Sequence, residues 1–388
     1  MGCVRNLFPV VLTTMLVAAL AVVAPAPAQA AGWGTPVVSS ASRRQVCADF
    51  LFIGVRGSGE PAGFGPTVTG IRDALKKRWK RDGTVRQVYL DYPAVAPQTL
   101  GEMPFENLLF DQPLKAAYFD SAGEGATALI SVMDDSLRRC PREKVIVAGF
   151  SQGAQVITSA LAATKPGSRL IAALLLGNPS HYPQQNVREL NGTASTNAIG
   201  LGAALTLLRK TGAEHSSRQL AVEAMIQHTF NITEGKANPV ETAAAMKAAG
   251  AEISPEHYPR TYSVCLAGDL VCDAGEPLGR MLVGSTQLTD EMNRTRPIHL
   301  NYNETTLKQT LDAMYATAAA VDITTPAPGS TESPRTLPGR PTWFAAGGIG
   351  LAALVVGFVG GLVRGRALGR ASILTALERR RQKELDAD

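Results

Sequence analysis

An apolar run, Val145-Ile146-Val147-Ala148, leads directly into Gly149-Phe150-Ser151-Gln152-Gly153 and then into a helical pattern over 152–165. No other feature of the chain limits its fold as tightly. A buried strand, G-x-S-x-G and a helix, in that order, form a nucleophile elbow. A serine at so sharp a turn sits in a strained backbone conformation, with its hydroxyl lifted above the sheet where a base can reach it. Residues two before and two after that serine approach each other closely, so both must be small. The helix that follows puts Val156, Leu161 and several alanines on one face. The string alone arises by chance roughly 0.1 to 0.3 times in a chain of this length. Its flanking strand and helix are what make it specific.

The remaining periodicities build a frame around this turn. Residues 50–55 are a buried-strand run, and 67–80 carry Val68, Ile71, Leu75 and Trp79 at helical spacing. A strand is predicted over 85–90, a helix over 121–139, strands over 170–176 and 260–266, and a closing helix over 305–321. Alternation of strands with helices implies an α/β domain, with a mostly parallel five-stranded sheet covered on both faces. Between the fourth and fifth strands lies a helical insert, 181–257, with helices expected over 197–210, 216–230 and 239–251. Asn238 can cap the last of these, Pro239 suits its first position, and Glu241 completes a capping-box-like pattern. An insert of this size near the mouth of a site reads either as a packing or partner surface or as a lid or acyl-chain platform.

The ends of the chain read differently. Residues 1–30 have one charge, Arg5, then an apolar stretch and an Ala28-Gln29-Ala30 site, the pattern of a secretory signal. The folded domain is expected over 31–323, followed by a Pro/Gly/Ser/Thr-rich linker over 324–342 that cannot bury a core. Its 19 residues span about 25 Å as a coil and up to about 60 Å as polyproline. Residues 343–363 hold no charge, about 31 Å as a helix, which matches a transmembrane span. A basic tail over 364–388 then belongs in the cytoplasm and the folded domain outside the cell membrane. Gly357 and Gly361 form a G-x-x-x-G, which Gly-rich spans often match by chance.

Charge has little to say about partners once the ends are set aside. The tail has seven basic and four acidic residues, and Arg5 adds one more positive charge. Only +1 of the whole-chain +5 then remains for the exported part and linker. No nucleic-acid partner is implied. Of the five cysteines Cys3 leaves with the signal, and Cys47, Cys140, Cys265 and Cys272 remain, an even number that suggests two disulfides in an exported domain. Three pairings are open. The near pair Cys265 and Cys272 most simply closes a tight loop, leaving Cys47 with Cys140. The spacing contains no C-x-x-C or paired histidines for a metal.

A nucleophilic serine needs a base, and the base an orienting acid, here in the order Ser, Asp or Glu, His. Of the five histidines, His215 and His228 fall in the insert, His181 and His257 border it, and only His299 follows the fifth strand. Asp269 lies 118 residues after Ser151 and 30 before His299, within the proposed Cys265–Cys272 loop. Asp273 is its nearest competitor. The oxyanion needs two donors, one from the Gln152 N–H and one from a loop after an early strand. Arg56-Gly57-Ser58-Gly59-Glu60 occupies that place, and Ser58 can offer both N–H and hydroxyl. The overlapping string Gly57 to Ala62 also fits a dinucleotide-binding G-x-G-x-x-A, but Pro61 breaks the start of the helix that motif requires. No cofactor is implied.

Cys47 with FIGVRGSGE, Cys140 before VIVAGFSQGA, then CLAGDLVC and PIHLNY together resemble the cutinase family of serine esterases. The likeness spans about 46–302, with the insert as the main departure. It implies a compact α/β-hydrolase fold and a Ser151–Asp269–His299 triad. It further implies an oxyanion hole from Ser58 and Gln152, and disulfides Cys47–Cys140 and Cys265–Cys272. The family typically hydrolyses carboxylic esters, from cutin and short acyl esters to lipids, and its bacterial members resemble secreted actinobacterial esterases and lipases. Many members have an open site, so the insert and the membrane tail set this chain apart. The expected activity is that of a membrane-tethered, extracellular serine esterase acting on a lipid, polyester or short acyl ester. The alternatives are an acyltransferase acting on cell-envelope lipids or sugars, and an envelope-binding protein that keeps the scaffold without catalysis.

Overall fold

The computed structural model describes residues 32–42, 46–114, 116–164 and 169–323. By contact density the chain divides into Met1–Ala327 and Pro328–Asp388, and all of the described residues belong to the first unit. The signal segment 1–30, the linker 324–342, the apolar span 343–363 and the basic tail 364–388 lie outside the described residues. Among the described residues no helix is long and apolar enough to cross a membrane.

Six strands form one sheet: β1 (Val37–Ser39), β2 (Phe50–Val55), β3 (Val85–Tyr89), β4 (Lys144–Phe150), β5 (Leu170–Leu176) and β6 (Thr261–Val264). Their order is β1-β3-β2-β4-β5-β6, and every pairing is parallel. The five-stranded expectation therefore needs correcting to six. β1 is a three-residue edge strand, Val-Val-Ser, too short to show a period. β2 and β5 are apolar at every position, and β4 at all but its first residue, because both faces of the sheet are covered, as parallel sheets require.

The helices are α1 (Gly65–Arg78), α2 (Gln98–Gly101), α3 (Phe105–Phe110), α4 (Ala117–Arg139), α5 (Gln152–Ala163), α6 (Leu201–Ala213), α7 (Arg218–Thr233), α8 (Pro239–Ala248), α9 (Gly275–Leu282), α10 (Leu288–His299) and α11 (Lys308–Ala319). The period-2 pleat sorts the sheet's side chains between two layers. Phe50, Phe52, Ile146 and Leu174 meet Ile71 and Leu75 of α1 and Leu311 of α11. Leu51, Ile53, Val147 and Leu175 meet Leu129 of α4 and Val156 and Ile157 of α5.

A third apolar core lies apart from both sheet faces. Leu108 of α3, Leu205 and Leu208 of α6, Met225 of α7, Met246 of α8 and Leu278 of α9 are buried together there. The insert is thus one part of a larger helical cap, which also recruits α2, α3, α9 and α10. The three insert helices sit within a few residues of their predicted places. At the start of α8 Asn238 accepts the Val240 N–H at 3.0 Å. Glu241 meets the Asn238 side-chain amide rather than its backbone, so the box is altered in detail.

Two disulfides are formed. Cys47–Cys140 closes a separation of 93 residues and Cys265–Cys272 one of 7. The first fastens the chain just before β2 to the end of α4. The second closes the loop that follows β6.

Candidate active site

β4 delivers Ser151 at its C-terminal end, and α5 begins one residue later. Ser151 has φ 56° and ψ −122°, a conformation that L-residues rarely adopt. The two flanking glycines permit it. A Cβ on Gly149 would come within 2.5 Å of the Gly153 carbonyl oxygen, and one on Gly153 within 2.2 Å of the Val55 carbonyl oxygen. The turn is also tied to the neighbouring strand, because the Ser151 N–H donates to the Leu176 carbonyl at 2.8 Å.

Asp269 follows β6 and is completely buried. His299 is the last residue of α10, and its Nδ1 lies 2.9 Å from both carboxylate oxygens of Asp269. The Val271 N–H donates to Asp269 Oδ1 at 3.0 Å, and the Tyr302 hydroxyl donates to Oδ2 at 2.7 Å. With Nδ1 committed to the carboxylate, Nε2 is the imidazole nitrogen left for other chemistry. The Phe150 ring stacks on the imidazole with centroids 4.6 Å apart. No direct hydrogen bond joins Ser151 to His299 among the described residues, but both line one cavity of about 330 Å³. Such bonds often tighten only when substrate is bound.

The structure separates Asp269 and His299 from their competitors. Asp273 accepts the Gly268 N–H at 2.9 Å, holding the loop, and burial raises its pKa. His215 meets the Thr211 carbonyl, His228 the Thr211 hydroxyl and His257 the Thr164 carbonyl. His181 is buried with Nδ1 3.6 Å from Glu189, and burial pushes its pKa down to about 4.

Ser58 and Gln152 line opposite sides of the nucleophile in sequence. Gln152 is the first residue of α5, where backbone N–H groups have no intrahelical acceptor. Its side chain is occupied elsewhere, donating to the Tyr118 carbonyl at 2.7 Å. That leaves its N–H to serve an anion. Ser58 lies in the cavity wall, on a loop braced from both ends. The Arg56 guanidinium donates to the carbonyls of Glu60, Leu90 and Tyr92. The Glu60 carboxylate accepts the Gly57 N–H at 2.6 Å. Burial raises the Glu60 pKa, opposed by that N–H and by the charges of His299 and Arg56.

Beyond the polar centre the walls are mostly apolar, with Leu100, Leu201, Leu270, Val271 and Met292 among them and Gln98, Asn293, Thr295 and Arg296 as polar exceptions. Of the insert helices only the start of α6, at Leu201 and Gly202, reaches this cavity. Neither α7 nor α8 contributes a wall. The insert acts at the site through one helix end held in the cap core.

Sequence reading passed over Tyr302, Gly177, Phe150 and Glu60 as site residues. Tyr302 ends the PIHLNY string and stands three residues after His299, which is the signal that would have found it. Its pKa is raised well above the ordinary tyrosine range, by burial first and then by the Asp269 charge, so it stays a donor. Gly177 has φ 54°, and a Cβ there would lie 3.0 Å from both Asp269 Oδ2 and His299 Cε1. Nothing local in the sequence marks it.

The family model described as Cutinase matches residues 46–282, more than half of the chain; His299 lies beyond the matched stretch. Cutinase 4 of Emericella nidulans is 28% identical over 135 residues, 34% of this chain and 50% of that protein. The chain thus spans about half the length of this curated relative. Among solved structures, the catalytic core of acetyl xylan esterase from Trichoderma reesei is 17% identical with a TM-score of 0.41, over 70% of this chain and 100% of that one. A cutinase-like protein from Cryptococcus sp. is 17% identical with a TM-score of 0.39, over 68% of this chain and 94% of that one.

Proposed function

The chain belongs to the cutinase family, and from that premise we propose that it is a serine esterase that hydrolyses carboxylic esters through an acyl-enzyme on Ser151. One observation carries the reading: His299 is hydrogen-bonded to Asp269 while lining the same cavity as a serine held at φ 56°. His299 Nε2 takes the Ser151 proton as Oγ attacks the ester carbonyl. The tetrahedral oxyanion is met by the N–H groups of Ser58 and Gln152. Its collapse expels the alcohol, which takes the proton from His299. Water, activated by the same imidazole, then attacks the acyl-enzyme and releases the carboxylic acid. Asp269 keeps Nδ1 protonated and the ring in place throughout, and it stabilises the imidazolium. The apolar walls suit the acyl chain.

We place the domain outside the cytoplasm, tethered through residues 343–363. Two disulfides in a domain of this size favour an oxidising compartment. The apolar segments at 1–30 and 343–363 favour export and anchorage. On this reading the enzyme works on esters at or against the cell's own surface.

Hydrolysis of p-nitrophenyl butyrate by the wild type and by Ser151→Ala tests the proposal. The expected result is loss of turnover in the variant with an unchanged far-ultraviolet circular dichroism spectrum. A variant that turns over at the wild-type rate contradicts it.

A further inference from the structure

Phe150, the last residue of β4 and the one before the nucleophile, is buried between the two halves of the site. Its ring stacks on the His299 imidazole, with centroids 4.6 Å apart and planes 27° from parallel. That separation and tilt fall in the range aromatic pairs prefer. The same ring lies against the loop that carries Ser58. A Cβ on Gly57 would come within 2.9 Å of Phe150 Cδ1 and 3.3 Å of Cε1, with Glu60 Oε2 next at 3.4 Å. The Gly57 φ lies outside the left-handed region, so its backbone conformation does not call for glycine. The room taken by the Phe150 ring does. Gly57 matters to the chemistry because the planar peptide that carries the Ser58 N–H starts at its Cα. Phe150 also packs against Tyr302, with ring centroids 5.9 Å apart, and Tyr302 holds Asp269.

We propose that Phe150 is a positioning residue, a single aromatic wedge that sets His299 and the Ser58 N–H at their working separation on either side of Ser151. The proposal rests on the serine-esterase reading and adds a residue to its machinery. A ring in a close-packed interior cannot shift without moving what it touches. Movement of the Gly57 loop is therefore passed to the imidazole, and movement of the imidazole to the oxyanion donor. Leucine fills part of the same space but offers no flat face to the imidazole.

The test compares wild type, Phe150→Leu, Gly57→Ala and the double variant, each checked for folding by circular dichroism. Two quantities are read: kcat and KM for p-nitrophenyl butyrate, and the His299 ring-proton resonances by NMR in protein with isotope-labelled histidine. Their assignment comes from the signals missing in His299→Gln. In Phe150→Leu kcat is expected to fall about ten- to a hundredfold with KM changed less, the cost of displacing reacting groups by up to about 1 Å. The His299 ring protons are expected to move downfield as they lose the current of the stacked ring. Gly57→Ala is expected to lower kcat and to move the same resonances, because its methyl pushes on Phe150. Leucine leaves that methyl room. The double variant is therefore expected to exceed the product of the two single losses by at least about twofold, the coupling of residues in contact. Gly57→Ala alone decides the matter should Phe150→Leu not fold. If no form hydrolyses the ester but Gly57→Ala still moves the His299 resonances, the wedge stands and the esterase reading falls. A raised KM with kcat unchanged in Phe150→Leu makes the ring a cavity wall and overturns the wedge. So do His299 resonances unmoved in Gly57→Ala, or single losses that simply multiply.

Discussion

The Tyr302 hydroxyl donates at 2.7 Å to Oδ2 of Asp269, the same carboxylate that holds His299 Nδ1. Buried and uncharged, Tyr302 fixes the acid that fixes the base. It touches no substrate, so its role is positioning. Tyr302→Phe removes one donor to a buried carboxylate and leaves the ring's packing against Phe150 in place. The expected effect is a fall in kcat of about tenfold with KM nearly unchanged, the size of one charge-assisted hydrogen bond only partly transmitted to the imidazole. Steady-state kinetics on a p-nitrophenyl ester checks it. A fall in thermal stability with kcat intact would make the hydroxyl merely structural.

The two disulfides should separate stability from turnover. On chain-entropy grounds the bridge across 93 residues contributes about 4.7 kcal/mol and the one across 7 about 2.5 kcal/mol. The shorter bridge, however, encloses Asp269. Replacing Cys47 and Cys140 by serine is expected to give the larger drop in Tm. Replacing Cys265 and Cys272 is expected to give the larger drop in kcat. Calorimetry and initial rates on the two double variants read both quantities.

Glycines at two places predict opposite outcomes for the same substitution. Gly153→Ala drives a methyl against the Val55 carbonyl, at 2.2 Å, and neither backbone segment can withdraw without breaking the elbow. Loss of esterase activity and of soluble expression is expected. Gly70 lies inside α1, where an added Cβ meets nothing within 4 Å. Gly70→Ala is expected to raise stability by about 0.5–1 kcal/mol. Chemical denaturation measures the second effect directly.

A buried carboxylate paired with two partly exposed arginines makes part of the stability depend on acid pH. Arg280 of α9 grips Glu291 of α10 through two hydrogen bonds of 2.8 Å, and Arg294 adds two more. The Arg280 bonds, ahead of those from Arg294 and against burial, lower the Glu291 pKa to about 2. A carboxyl depressed in the folded state stabilises it fully above its ordinary pKa of ~4.3. That contribution is lost as pH falls from there through about 2. Glu291→Gln is therefore expected to be less stable than wild type at pH 7 by about 1–3 kcal/mol. The gap should close toward pH 2.

The parallel sheet, the elbow, the near pair Cys265 and Cys272 and the insert helices were legible because each leaves a local mark, whereas Cys47–Cys140, 93 residues apart, followed only from what that pair left and from the family resemblance. Apolar strand runs, paired cysteines and helical periodicity are readable within a few residues of one another. β1, α2 and α3 left no such mark, being three to six residues long. The cap core was hidden for a different reason. Leu108, Met225 and Leu278 belong to segments far apart in sequence, and only their packing joins them. At the site the reacting side chains announced themselves by chemistry and order. Gly177 and Glu60 did not, since one matters for the room it leaves and the other for a backbone N–H it accepts.

Covalent labelling by a fluorophosphonate, located by peptide mass spectrometry, tests the central claim most directly. The reagent reacts only with a serine whose hydroxyl is activated by a neighbouring base. The expected result is one adduct, on Ser151, absent in Ser151→Ala and strongly slowed in His299→Ala. Failure of the folded protein to label, or labelling at a serine other than Ser151, would contradict the account.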